Sequence, residues 1–139
     1  MIEGWYNKDY LVLFDDPDEV SRMTELYGFS ENLPGYVAVG LNGWDDFIVR
    51  DDKQNHFTLP AAPLAAKYLS PYIFSVDPAA IQPDERFRMK IKWYVKPIMF
   101  GGDPTAKENM AWLTYEQHAQ AVCWWSKFYR DTVGKNVKG

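Results

Sequence analysis

Apolar positions between Tyr36 and Leu59 fall in short runs divided by turn residues. Tyr36-Val37-Ala38-Val39 is followed by Gly40-Leu41-Asn42-Gly43, Phe47-Ile48-Val49 by Asp51-Asp52-Lys53-Gln54-Asn55, and His56-Phe57-Thr58-Leu59 by Pro60. Short β-favouring runs with Gly, Asn and Asp between them predict a three-stranded antiparallel meander. Ahead of it, Trp5-Tyr6 and Tyr10-Leu11-Val12-Leu13-Phe14 are apolar, and the second run predicts a strand or a buried lead-in segment. Behind it, Phe87, Met89, Ile91 and Trp93 alternate with Arg86, Arg88, Lys90 and Lys92. That period of two predicts a half-buried strand over 86–96 with one apolar and one basic face. Tyr72-Ile73-Phe74-Ser75-Val76 predicts a short buried strand, and Asn109 to Trp112 a brief one.

Helical signals are fewer but better bounded. Asp16 is a capping residue, Pro17 suits the first helical position, and Glu19 stands where it can reach back to the cap. Val20, Met23 and Tyr27 recur at helical spacing before Gly28, a natural stop. A second, short helix is expected over 61–69, with Pro63 in its first turn. The third is the longest, from Thr114 as cap, with Gln117 as its capping-box partner, to a stop at Gly134. Tyr115, Ala119, Val122 and Tyr129 share one face of it, with Trp125 and Phe128 beside them.

Strands and helices that do not alternate predict an α+β fold, with a mainly antiparallel sheet flanked by helices. At 139 residues the chain is expected to form a single domain over 1–139, able to bury its own core. Six Trp in that length supply more aromatic surface than most cores need, so some are candidates for an interface. The net charge of −4 is unevenly placed, acidic over the first sixty residues and basic over the remainder. Such asymmetry fits two halves that attract each other, or two faces for different partners. Cys123 is the single cysteine, so no internal disulfide forms, which fits a reducing compartment. No secretory signal or membrane-length apolar run is seen, and the expected location is cytoplasmic.

The candidate chemistry is sparse. His118 has no acid or nucleophile at a useful helical spacing and reads as a packed or partly exposed structural histidine. Asp45-Asp46 and Asp51-Asp52 lie on turns of the meander, without the spacing of a calcium loop. They read as solvated turns, or as an acidic rim around Trp44 on which a basic protein docks, a nuclease toxin being one example. The basic row Arg86, Arg88, Lys90 and Lys92 is a second candidate partner surface. It is a weak nucleic-acid signal in a chain of negative net charge. Gly101-Gly102 lacks the Lys-Ser/Thr of a phosphate loop. One Cys and two His argue against structural zinc. No cofactor or catalytic residue is expected.

Tyr10-Leu11-Val12-Leu13-Phe14, the helix after it, and Leu33-Pro34-Gly35-Tyr36-Val37-Ala38-Val39-Gly40-Leu41-Asn42-Gly43 occur in a suggestive order. With Phe47-Ile48-Val49-Arg50-Asp51 and Phe57-Thr58-Leu59-Pro60 they resemble the SUKH superfamily over about residues 10–72. That family includes a yeast regulator of cell-wall glucan synthesis and many bacterial immunity proteins. The resemblance implies a SUKH-like α+β domain without catalysis, whose partner is a cognate protein toxin. Two other readings stay open: a small enzyme or ligand-binding protein with a pocket that includes His118, and a regulatory scaffold.

Overall fold

The computed structural model describes residues 1–138, with side chains through Val133. In chain order the elements are β1 (Ile2–Tyr6), β2 (Asp9–Leu13), α1 (Pro17–Leu26), α2 (Phe29–Asn32), β3 (Val37–Asn42), β4 (Asp46–Arg50) and β5 (His56–Pro60). Then come β6 (Ser70–Pro71), β7 (Ile91–Tyr94), β8 (Met110–Leu113) and α3 (Tyr115–Lys138). Strands β1 to β6 form one sheet in sequence order, every neighbouring pair antiparallel. Strands β7 and β8 pair separately. The fold is α+β, with a mainly antiparallel sheet flanked by helices, as expected.

The predicted meander is present, but β3 runs on through Gly40, Leu41 and Asn42. The turn is therefore one step later, at Gly43-Trp44-Asp45. Gly40 pairs within the ladder, and only glycine fits there because a Cβ would lie 2.1 Å from the Val12 carbonyl oxygen on β2. The register also shifts between Ala38 and Gly40, so the missing side chain accommodates a local irregularity in a tightly packed strand.

Burial on both faces explains why Tyr10 to Leu13 in β2 and Phe47 to Val49 in β4 are apolar without interruption. Tyr10, Val12, Leu41, Phe47 and Val49 face a large core shared with Tyr27 and Phe29 from the first helices and Tyr115, Ala119 and Val122 from α3. Leu11, Leu13, Val39 and Ile48 face the other way, into a smaller core closed by Ile81. Full burial of such a side chain contributes about 1.5–3 kcal/mol. The strand expected over 72–76 is instead part of a strap across this second face. Tyr72 N–H donates to the His56 carbonyl at 3.0 Å, and Trp5 and Gln82 exchange two backbone hydrogen bonds at 2.8 and 2.9 Å. The strap thus ties β5 to β1 and occupies ladder groups on β1, an edge strand.

Helix caps largely follow the sequence. Asp16 accepts from Glu19 N–H at 2.9 Å, while the Glu19 carboxylate turns to the Met1 ammonium rather than back to the cap. Thr114 and Gln117 complete the reciprocal box, with bonds of 3.0 and 3.2 Å. Gly28 ends α1 at φ 72 and starts α2. Helix α3 continues past Gly134 to Lys138, since one internal glycine weakens a helix by only about 1 kcal/mol.

Two other expectations fail for tertiary reasons. Residues 61–69 hold only a 3₁₀ turn, Ala66–Tyr68. Pro63 biases Ala62 away from helix, and Ala61, Ala62 and Leu64 are buried in the core. Leu64 N–H is satisfied by Ser126 Oγ on α3 at 3.0 Å. The strand expected over 86–96 shrinks to Ile91–Tyr94. Residues 84–90 form turns instead, with Phe87 N–H donating to Asp84 O and Lys90 N–H to Phe87 O, each at 3.1 Å. The Asp84 carboxylate accepts from Arg86 N–H at 3.1 Å, an Asx-type contact that competes with extended structure.

The approach of Gly40 to β2 predicts that Gly40→Ala destabilises the protein by about 2–3 kcal/mol. Urea unfolding measures it, and an unchanged midpoint would refute the close contact.

Candidate functional site

An apolar concavity lies where the large sheet meets the β7–β8 hairpin. Asp45 and Asp46 with Pro60, Ala61 and Ala62 line one side, Lys92, Trp93 and Tyr94 the other, and Pro97, Ile98 and Met99 complete it beside Trp44. Its volume is about 200 Å³. Each wall is placed by a local feature. The turn Gly43-Trp44-Asp45 has φ 63 at Gly43 and φ 61 at Trp44. A bulky residue in the left-handed region is strained and persists only where its surroundings hold it there. Here the Trp44 ring stacks on Tyr10 at 4.6 Å and 15°, with edge contacts to Trp112, Phe87 and Trp5 at 5.2, 5.6 and 6.0 Å. The Asp45 carbonyl accepts from Ala61 N–H at 2.9 Å, which fixes the β3–β4 turn against the end of β5. On the far side, the cross-strand pairs of β7 with β8 set Lys92 and Trp93. A 3₁₀ turn at Ile98–Phe100 carries the remaining wall.

Asp45 is exposed and Asp46 half-buried. Burial pushes the Asp45 pKa up; Lys92 pulls it back and Asp46 and Asp9 add to the rise. Asp46 is raised by burial and then by Asp9. Lys92 lines the same cleft, but its ammonium sits over the Tyr94 ring at 5.3 Å. Among the described residues neither Asp45 nor Asp46 has an ion-pair partner. An apolar slot with an exposed and a half-buried carboxylate at its rim favours a ligand that combines an apolar body with a positive charge.

Of the residues singled out in the sequence, the fold brings Trp44, Asp45, Asp46 and Lys92 to this cleft. Trp44 is nine-tenths buried, so it is a core residue and a wall at once. Asp51 and Asp52 lie at the opposite end of β4. Asp51 Oδ1 accepts from Lys53 and Asn55 N–H at 2.9 and 2.8 Å. Desolvation raises its pKa, but the bonds from Asn55 and Lys53 outweigh that and hold it below the usual carboxylate value, as suits a turn-forming group. Asp52 is exposed beside it. The basic row is dispersed. Arg86 is clamped by both oxygens of Asp84 at 3.0 and 2.8 Å and lies over Phe87, Arg88 reaches Glu85 at 3.5 Å, and Lys90 is exposed. A second cavity of about 330 Å³ includes Met1, Glu3, Tyr10, Asp84, Glu85 and Arg88, and these charged residues already have partners within it or at its edge.

His118 is fully buried, its Nδ1 2.7 Å from the Tyr27 hydroxyl and its ring against Trp93 at 5.3 Å. Neither cavity includes it, so the fold does not join it to the acids of the meander. Its Nε2 has no hydrogen-bond partner among the described residues. Burial pushes its pKa down to about 3. His56 is half-buried and stacks on Phe74 at 4.9 Å. Cys123 is half-buried against Gly28 rather than enclosed, and its thiol pKa is raised first by burial. The acids Asp15, Asp16 and Glu19 are the one group of possible metal ligands drawn together among the described residues. The Met1 ammonium already pairs with Asp15 and Glu19, and Asp16 caps α1.

Sequence reasoning missed the apolar part of the site. Ile98 and Met99 are about half exposed, and Phe100 of the same turn packs on Trp125 and Phe128 at 4.6 and 5.9 Å. Trp124 is 58% exposed and stacks on Phe128 at 5.5 Å and 6°. The Trp124–Phe128 spacing of four, opposite the buried stripe of α3, was a readable signal for a second apolar face. No family model, no curated protein and no solved structure matches the chain.

The folded state keeps His118 neutral to about pH 3, whereas the unfolded chain takes up its proton near 6.5. Its contribution is complete above the upper value and is lost progressively as pH falls through this window. The wild type therefore loses stability toward acid more steeply than a Tyr27→Phe/His118→Phe double variant, read from urea midpoints at successive pH values. Equal slopes would contradict the buried neutral pair.

Proposed function

We propose that this chain is a non-enzymatic, immunity-type protein that acts in the cytoplasm by binding a basic toxin domain. The observation that carries this reading is one apolar surface. It starts in the cleft, passes over Ile98 and Met99, and reaches Trp124 and Phe128 through Phe100. Large exposed aromatic and aliphatic side chains at one place are expensive to leave in water and are typical of docking surfaces. The acids Asp9, Asp45 and Asp46 at one end supply the charge that a basic partner complements. The SUKH-like order of segments over about 10–72, and a flanked antiparallel sheet of the kind that resemblance implies, support the same reading. So does the enclosure of His118 away from both cavities. No helix among the described residues is long and apolar enough to cross a membrane.

A protein of this kind works by surface complementarity and slow dissociation. It is expected to retain, through a salt wash, a protein whose expression alone arrests growth, and co-expression of the two restores growth. Trp124→Ala/Phe128→Ala is expected to weaken that complex by at least about 2 kcal/mol while the isolated protein keeps its unfolding midpoint. The thermal midpoint of the wild type rises with partner concentration. Capture of no growth-arresting protein, or full rescue by the double variant, would contradict the proposal.

A further inference from the structure

The cleft is more specific than the surface around it. Its lining is aromatic and aliphatic except at Asp45, Asp46 and Lys92. Lys92 is drawn aside onto Tyr94, so the carboxylates are left without a paired cation. Asp45 follows directly on the strained turn, so the strain at Trp44 has a consequence: it sets a carboxylate at the edge of an apolar slot. A ligand for such a slot needs a slender apolar stem and a compact cation.

We propose that the cleft receives one lysine side chain of the protein partner, its methylene stem against Trp44, Trp93 and Ile98 and its ammonium at Asp45. This rests on the partner-binding reading above and names the chemistry at its centre. Charge geometry favours lysine over arginine: lysine concentrates its charge at a point, whereas the arginine fork requires planar, bidentate carboxylate geometry. Lys92 is then a specificity-determining residue, because its positive charge limits how strongly the acids attract a second one.

The test uses the whole chain and four blocked tripeptides, acetyl-Gly-X-Gly-amide, with X as lysine, Nε-acetyl-lysine, norleucine or arginine. Free 1-aminohexane is the fifth probe. Binding is read from the indole NMR signals of Trp44 and Trp93. The lysine peptide is expected to shift both signals saturably, with an affinity at least about tenfold above norleucine and Nε-acetyl-lysine. Asp45→Asn/Asp46→Asn should remove that preference while unchanged signal dispersion reports an intact fold, and Lys92→Met should strengthen it. Equal binding of norleucine would make the cleft an apolar slot only and overturn the proposal. Binding of 1-aminohexane without the lysine peptide would assign it to a free amine, and preference for arginine would assign it to guanidinium; each also overturns it. If the peptides behave as expected and no toxin partner exists, the immunity reading falls alone. If a partner binds tightly and no peptide reaches the cleft, the lysine assignment falls alone.

Discussion

The packing of Trp44 on Tyr10 holds this structure in its working shape. The turn that carries Trp44 has two successive residues in the left-handed region, and only one of them is glycine. Without a compensating contact, that backbone would relax. The compensation is a cluster of rings drawn from distant parts of the chain: Trp5 from β1, Tyr10 from β2, Phe87 from the turns before β7, and Trp112 from β8. Aromatic pairs of this geometry contribute about 0.5–1.5 kcal/mol each beyond their burial. Glu3 extends the cluster, since its Oε1 accepts from both the Tyr10 hydroxyl and Met89 N–H, each at 2.8 Å. The cleft therefore inherits its shape from contacts that also join the two sheets.

The large sheet supplies a rigid base because it is covered on both faces. Helices, through Tyr27, Phe29 and Val122, cover the face that holds Tyr10, Phe47 and Val49. A strap without regular structure covers the other through Ile81, and partly through Tyr72 and Val76. Where α3 turns away from this core, its outer side keeps Trp124 and Phe128 in solvent. The same helix thus divides its aromatic residues between the core and an exposed apolar face. That division explains a Trp content higher than a core of this size requires.

The features that could be read from the sequence were those set by neighbours in the chain. The caps at Asp16 and Thr114, the stop at Gly28 and the runs of β3, β4 and β5 obey local rules, and all are present. What local rules misread was decided at a distance. The alternation over 86–96 is genuine at Ile91 and Trp93, both buried. Beyond them, Phe87 is held by the Trp44 cluster and Arg86 by Asp84, so that part of the pattern never becomes a strand. The segment 61–69 had helical spacing, but its apolar residues are used singly, as buried plugs beneath α3. At the site, Trp44, Asp45, Asp46 and Lys92 were visible as residue types. Their convergence was not, because it depends on β7 pairing with β8 and on the turn at Ile98–Phe100.

The most direct test of this account is a two-dimensional NMR measurement of proximity between the Trp44 indole and other rings. Cross-peaks from Trp44 to Tyr10, Phe87 and Trp112 together are the predicted result, since all three centroids lie within 5.6 Å. A Trp44 ring with no such cross-peaks and free access to solvent would contradict the account, and with it the origin of the cleft.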